Sequence, residues 1–462
     1  MLNLISSFRI RRLLRTKRFA NALAYCRTNN NHISNDEMWT LYKTGCYQWA
    51  ANSNCRPTTP EAVLAFGVSL ITCGRTDEGA SVLRNGLKML EAKPKLLSEA
   101  ARLVAQYSPE LSAELLSSHQ FLNPGLMIAL YVELGNVAAA RELCDAYFQT
   151  NDKRKDNDIF LIMANLEAGI PEKLSYINTC LDAHKLTRVE ARAGAVSLSA
   201  NTITASRRNA EADGPLVSIV VPAYNTADRI AASVESLCGQ TYENLEIVVV
   251  DDCSTDDTLS VVESLAQRDR RIRVFKTGSN SGPYVARNIG LENARGEFVT
   301  CHDSDDWAHP DKIHLQLKPM LSDNSLKFTT SKWVRITDDG NFYVRQFYPI
   351  TRLNPASPMF RRQETIDRVG FYENARTGAD SEYIARLKLV YGPGSWKGIH
   401  KPLVFGAYRA GSLTTDLTTG GGRGVAMNAE RLTYWEQWRK RHAEALRNGK
   451  TLYLGKDQAS DS

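Results

Sequence analysis

Two runs constrain the fold of this chain more than any other feature: Val217-Ser218-Ile219-Val220-Val221-Pro222 and Glu246-Ile247-Val248-Val249-Val250-Asp251. Each is short, β-branched and almost unbroken. A strand apolar on both faces needs cover on both, and a mostly parallel sheet flanked by helices provides it. Amphipathic stretches at about 229–239, 257–267 and 284–294 alternate with these runs and with the strand-like segments 272–275 and 297–300. The class expected from about residue 215 is therefore α/β. Ligands of such sheets bind beyond the carboxyl ends of the strands, and that is where the polar residues of this region fall.

Residues 1–190 follow a different rhythm. Alanine and leucine recur at three- and four-residue spacings, broken at Gly74, Pro109, Pro124, Gly135 and Pro171, so an all-α domain of helical hairpins is expected. Leu64-Ala65-Phe66-Gly67 with Gly74 and Ala80, and Tyr131-Val132-Glu133-Leu134-Gly135 with Ala138-Ala139-Ala140, resemble degenerate tetratricopeptide-type repeats, although their spacing is irregular. Residues 191–214 are small, polar and charged, as a linker would be. The α/β domain is expected over 215–415 and a helical extension over 416–462. That extension opens on Gly420-Gly421-Gly422, carries a helix over about 427–446, and ends in a polar tail.

A chain of 462 residues accommodates two or three domains, and a net charge of +6 at this length gives no reason to expect a nucleic-acid partner. Nine scattered cysteines without a C-x-x-C pair fit free thiols in a reducing cytosol. No apolar run approaches the roughly 20 residues of a membrane-spanning helix, and no signal-peptide pattern is evident. A cytoplasmic protein is expected. Basic residues cluster in Phe8-Arg9-Ile10-Arg11-Arg12-Leu13-Leu14-Arg15-Thr16-Lys17-Arg18-Phe19, which suits either the first helix of a helical domain or a peripheral contact with an anionic membrane.

Four constellations carry candidate chemistry. Pro222-Ala223-Tyr224-Asn225 ends the first strand, where a tyrosine can stack on a flat base or Asn225 can cap a turn. Val250-Asp251-Asp252-Cys253-Ser254-Thr255-Asp256-Asp257 ends the next, offering carboxylates to a ribose or base and Ser254, Thr255 or Asp256 as a helix N-cap. Asn280-Ser281-Gly282-Pro283-Tyr284-Val285-Ala286-Arg287 opens a helix whose amides, with Arg287, suit an anion. Lastly, Cys301-His302-Asp303-Ser304-Asp305-Asp306-Trp307 crowds three carboxylates into four positions, which a hard divalent cation would relieve. His302 and His309 nearby read as structural or solvent-exposed rather than as ligands.

In this order the four resemble glycosyltransferase family 2, of the nucleotide-diphospho-sugar (GT-A) fold. Ser218 to Asn225, Gln240-Thr241-Tyr242, Val250-Asp251-Asp252, Asn280-Ser281-Gly282, Ala286-Arg287-Asn288-Ile289-Gly290-Leu291 and Asp303-Ser304-Asp305-Asp306 carry the resemblance. It implies that Pro222, Tyr224, Asp251, Asp252, Arg287 and Asp303 face a nucleotide-sugar donor, UDP-linked. It also implies that Asp305, with Asp303 beside it, holds a divalent metal, Mn2+ or Mg2+. A Glu-Asp pair supplies the general base in this family; here the stretch reads Gly378-Ala379-Asp380-Ser381-Glu382, making Asp380 the expected base with alanine where the glutamate would stand.

The implied reaction is an inverting displacement onto a glycan or lipid-linked acceptor, in bacterial surface polysaccharide assembly. Glu436-Gln437-Trp438-Arg439-Lys440 does not match the Gln-x-x-Arg-Trp of processive members, so single additions are expected. Trp307, Trp333 and Trp396 are either acceptor platforms or core. The helical region would bind a protein partner, the acceptor or a membrane. The rival reading is a catalytically idle nucleotide-binding or interaction protein that works through its helical repeats, for which Ala379 leaves room. A nucleotidyltransferase is disfavoured, because Pro222-Ala223-Tyr224-Asn225 stands where its glycine-rich basic loop belongs.

Overall fold

The fold is that of a computed structural model describing residues 2–26, 33–150, 156–206, 214–409, 412 and 427–456, with side chains from Phe8 onward. The expected Gly420-Gly421-Gly422 turn, part of the linker (207–213) and the end of the polar tail (457–462) lie outside the described residues. The chain divides into two compact units. One comprises Met1–Ile159, Val344–Pro349 and Ala410–Thr451; the other comprises Phe160–Tyr343, Ile350–Arg409 and Leu452–Ser462.

The first unit is helical, and several of its helices begin where the sequence supplies a side-chain cap. Ser34 and Glu37 form a reciprocal capping box, while Thr59, Ser108 and Asn123 each cap a helix that starts with proline. The expected breaks at Gly74 and Gly135 are left-handed turns, with φ of 89° and 77°. Gly67 and Gly79 let Pro60–Thr72 and Thr76–Asn85 pack as a close hairpin: a Cβ on Gly67 would lie 2.7 Å from Leu83 Cγ. No described helix is long and apolar enough to cross a membrane.

The second unit is mixed α/β. A hairpin of β1 (Val189–Ala191) and β2 (Ile203–Ala205) lies in and beside the segment expected as a linker. The large sheet comprises β3 (Val217–Ala223), β4 (Leu245–Asp251), β5 (Ile272–Lys276), β6 (Phe298–Cys301), β7 (Trp307–Ala308), β8 (Phe328–Thr337), β9 (Arg352–Leu353), β10 (Met359–Arg361) and β11 (Trp396–Tyr408). Its order is β5-β4-β3-β6-β10-β8-β11-β7, with β9 on β8. β5, β4, β3 and β6 run parallel; β10 is antiparallel to both β6 and β8.

Both faces of the parallel half are buried. Ile247 and Val249 point into one core with Ile230, Val234, Val262, Ile313 and Leu317, while Val248 and Val250 point into another with Tyr284, Leu291, Tyr383 and Leu387. That two-sided burial is why these strands read as unbroken apolar runs. The helices Ile230–Cys238, Thr258–Arg268 and Pro283–Asn293 fall within two residues of their expected bounds. The last of them, Pro283–Asn293, approaches β3 closely because Gly290 has no side chain to strike Val220.

Candidate active site

After β3 the chain steps outward through β4 and β5, then returns to lay β6 on the other side of β3. The carboxyl ends of β3, β4 and β6 therefore flank the switch point, where such sheets bind ligands. At the end of β3, Pro222 is buried and paired with Val250 across the sheet. Tyr224 follows, 42% exposed. The turn beyond it is pinned, since Asn225 takes a φ of 49° and its Oδ1 accepts from Thr255 N at 2.9 Å. Asn225 thus fixes the turn while the Tyr224 ring stays open to solvent.

The two aspartates after β4 are both buried but differ in what they hold. Asp251 Oδ2 accepts from Ser254 N at 3.2 Å, whereas its Oδ1 is buried with no hydrogen-bond partner among the described residues. Asp252 is engaged through both oxygens: Oδ1 accepts from Thr277 Oγ1 at 2.9 Å and Ser281 N at 3.0 Å, and Oδ2 from Gly282 N at 2.7 Å. The amides expected to attract an external anion at 281–282 already hold an internal one. The helix cap also differs from expectation, because Asp257 occupies the N-cap without a side-chain bond and Asp256 Oδ1 accepts from Thr258 N at 3.0 Å instead.

Removing Asp252 would strand two amides of the 277–282 loop, Ser281 N and Gly282 N, while Thr277 Oγ1 keeps Ser279 O as an acceptor at 2.8 Å. Asp252→Ala is expected to lower the unfolding free energy by about 1–3 kcal/mol, read as an earlier midpoint in urea. An unchanged midpoint would show that the loop does not depend on it.

Behind the acidic loop stands Arg287, one turn into its helix and 4% exposed. Its Nη2 donates to Asp303 Oδ1 at 2.7 Å, and its guanidinium carbon lies 5.1 Å from the Tyr284 ring and 5.9 Å from Tyr372. Nε and Nη1 are buried with no partner among the described residues. Asp305 pairs instead with Arg409 at the end of β11, Nε to Oδ2 at 3.1 Å. Burial and the nearby Asp303 push the Asp305 carboxyl upward, although Arg409 opposes them. Asp306 points inward: Oδ1 accepts from Ala407 N at 3.0 Å, Oδ2 is buried with no partner among the described residues, and burial with Asp305 and Asp303 raises its carboxyl well above the usual range. Asp306 therefore ties the loop to β11.

A cation supports the loop from below. Lys312 is fully buried, with Nζ 3.4 Å from Cys301 O and 3.3 Å from His302 Nδ1, and burial pushes its ammonium down to about 8. With Nδ1 accepting from Lys312, His302 Nε2 carries the proton that meets Asp306 O at 3.2 Å. His309 bridges Thr187 O and Asp311 N. Both histidines are thus structural. Of the three tryptophans, Trp307 is buried at 3% exposure, Trp396 lies on Phe328, and Trp333 flanks Arg335 beside Asp306 and Gly406.

Asp380 is the second residue of the helix Ala379–Tyr391 and half-buried; its Oδ1 accepts from Ser381 N at 2.7 Å. Gly378 N donates to Tyr284 OH at 3.0 Å, so this helix start hangs on the ring that lies against Arg287. Sequence reasoning missed Arg409, Arg335 and Lys312. Nothing local marks them, because each meets the acidic loop through tertiary packing.

A divalent ion fits the acidic loop. Asp303 Oδ2 and Asp305 Oδ1 accept no hydrogen bond from the described residues, and the crowding that raises Asp305 and Asp306 is the kind a cation relieves. Among the described residues no three His, Cys, Asp or Glu side chains converge as a ligand set. The loop thus offers two carboxylates to an ion that takes its other ligands from water or phosphate, as magnesium does.

Part of the chain is similar to known proteins. The family model for glycosyl transferase family 2 matches residues 218–376. An uncharacterized glycosyltransferase of Haemophilus influenzae is 39% identical over 127 residues, 28% of this chain and 50% of that protein. TuaG of Bacillus subtilis, a putative teichuronic acid biosynthesis glycosyltransferase, is 40% identical over 126 residues, 27% of this chain and 50% of its own. S. aureus TarS 1-349, solved in complex with UDP-GlcNAc, aligns with a TM-score of 0.36 and 23% identity, covering 42% of this chain and 59% of that one. The chain spans half or less of the length of the curated relatives it matches. The stretch 218–376, which holds the switch-point carboxylates, is similar to glycosyl transferase family 2.

Proposed function

We propose that the chain is an inverting glycosyltransferase that moves a hexosyl or related sugar from a UDP-linked donor to a glycan or lipid-linked acceptor. The setting we propose is bacterial surface polysaccharide assembly, capsule or lipopolysaccharide, in the cytoplasm at the inner face of the membrane. One observation carries the reading: within the family 2 domain, the exposed Tyr224 ring, the unpartnered Asp251 Oδ1 and the Asp303–Asp305 pair lie at the three strand ends of one switch point. The similarity to TuaG, a putative teichuronic acid biosynthesis glycosyltransferase, supports the polysaccharide setting.

In this reading Tyr224 stacks on the nucleobase and Asp251 Oδ1 accepts a hydrogen bond from the nucleoside, while Asp252 shapes the loop beside it. Arg287 holds Asp303 in place. Asp303 and Asp305 would hold a divalent ion, Mg2+ or Mn2+, which would offset the charge on the departing diphosphate. Asp380 takes the proton of the acceptor hydroxyl, and a single displacement inverts the anomeric centre. The helical unit serves a protein partner, the acceptor or the membrane surface.

Release of nucleoside diphosphate from a panel of nucleotide sugars, with Mn2+ or Mg2+ and with chelator, tests the reading. One donor is expected to turn over, UDP-linked and only with the ion. If no donor turns over while nucleotide still binds, the domain is an idle nucleotide-binding module and the enzyme reading fails.

A further inference from the structure

The charge of this chain is concentrated at one place. Residues 1–26 hold six Lys and Arg and no Asp or Glu, which equals the +6 of the whole chain; the other 436 residues balance 51 basic against 51 acidic. The helix Leu2–Arg15 organises much of that charge. Ile10 faces inward at 1% exposure, while Phe8, Arg12 and Arg15, spaced i, i+4 and i+7, share the opposite face. Phe8 is 71% exposed. Arg9 and Arg11 flank this stripe and are held by the protein, Arg9 with its guanidinium carbon 5.4 Å from the Tyr25 ring and Arg11 on Asp36 at 2.6 Å. Arg12 and Arg15 pair with no carboxylate among the described residues, and Lys17 and Arg18 extend the charge past the helix end, both exposed.

We propose that this face docks on an anionic lipid bilayer. A solvated helix face has no need of the exposed cations Arg12 and Arg15, with Lys17 and Arg18 beyond them, headed by an exposed phenylalanine. A nucleic-acid backbone would use the arginines but leave Phe8 idle, whereas a bilayer interface uses both, the cations at the headgroups and the ring among the upper acyl carbons. The inference rests on the proposed function only for the membrane setting of the acceptor.

Sedimentation of the full chain with phosphatidylcholine vesicles, with and without phosphatidylglycerol, tests it. Binding is expected only to the anionic vesicles and to weaken with salt. Arg12→Gln with Arg15→Gln should weaken it about thirtyfold, from about fivefold per cation near the surface. Phe8→Ser should weaken it roughly tenfold. Circular dichroism of the variants checks that the fold is intact, and transfer to a soluble acceptor should remain at the wild-type rate. Equal binding to both vesicle types, or unchanged binding by the arginine variant, overturns the proposal. So does binding to duplex DNA that falls in the arginine variant while Phe8→Ser leaves every affinity unaltered. Any of these results with transfer intact would reject the docking surface and leave the enzyme reading standing.

Discussion

Replacing Asp305 with asparagine is expected to slow glycosyl transfer by about 10²–10³-fold, the usual cost of removing a group that stabilises charge as it develops. The proposed role of Asp305 depends on charge, and asparagine keeps the shape while removing it. In the structure one Asp305 oxygen is met by Arg409 and the other by nothing among the described residues, so a cation has one oxygen open to it. The loop itself should survive the exchange, because Asp306 anchors it to Ala407 N and Lys312 supports it through Cys301 O and His302. The variant should therefore fold normally yet bind Mn2+ more weakly in a titration followed by electron paramagnetic resonance. Wild-type turnover in Asp305→Asn would remove Asp305 from the site; weaker ion binding with unchanged turnover would mean that transfer does not run through the ion.

Part of this site was legible in the sequence for a simple reason. Strands buried on both faces advertise themselves as unbroken β-branched runs, so the parallel half of the sheet and the residues at its carboxyl ends were visible together. The antiparallel half was not, because β10 is three residues long and sits between β6 and β8 through pairings distant in sequence. Lys312 lies on an amphipathic helix, where lysine ordinarily marks the solvated face. Only the packing of that helix beneath Cys301 and His302 buries it. Asp252 read as a nucleoside ligand because its partners, Thr277, Ser281 and Gly282, lie 25 to 30 residues away; its hold on that loop becomes apparent only in three dimensions.

The second large effect concerns proton transfer. Asp380→Asn is expected to lower kcat by about 10²–10⁴-fold, the range for a positioned general base, while leaving donor affinity and ion binding near wild type. Asparagine can still accept from Ser381 N, so the first turn of Ala379–Tyr391 should hold. The rest of that helix is fixed independently: Arg386, buried at 2% exposure, grips Glu382 through two bonds of 2.8 and 2.9 Å and donates to Val369 O and Phe371 O. In the proposed reading Asp380 thus sits on a fixed element, next to an Ala379 that is fully buried in the core. The two variants should therefore separate. Asp305→Asn loses ion binding and turnover together, whereas Asp380→Asn retains the bound donor and ion but fails to transfer. If Asp380→Asn instead keeps its kcat and loses donor affinity, Asp380 belongs to the donor pocket and another group takes the acceptor proton.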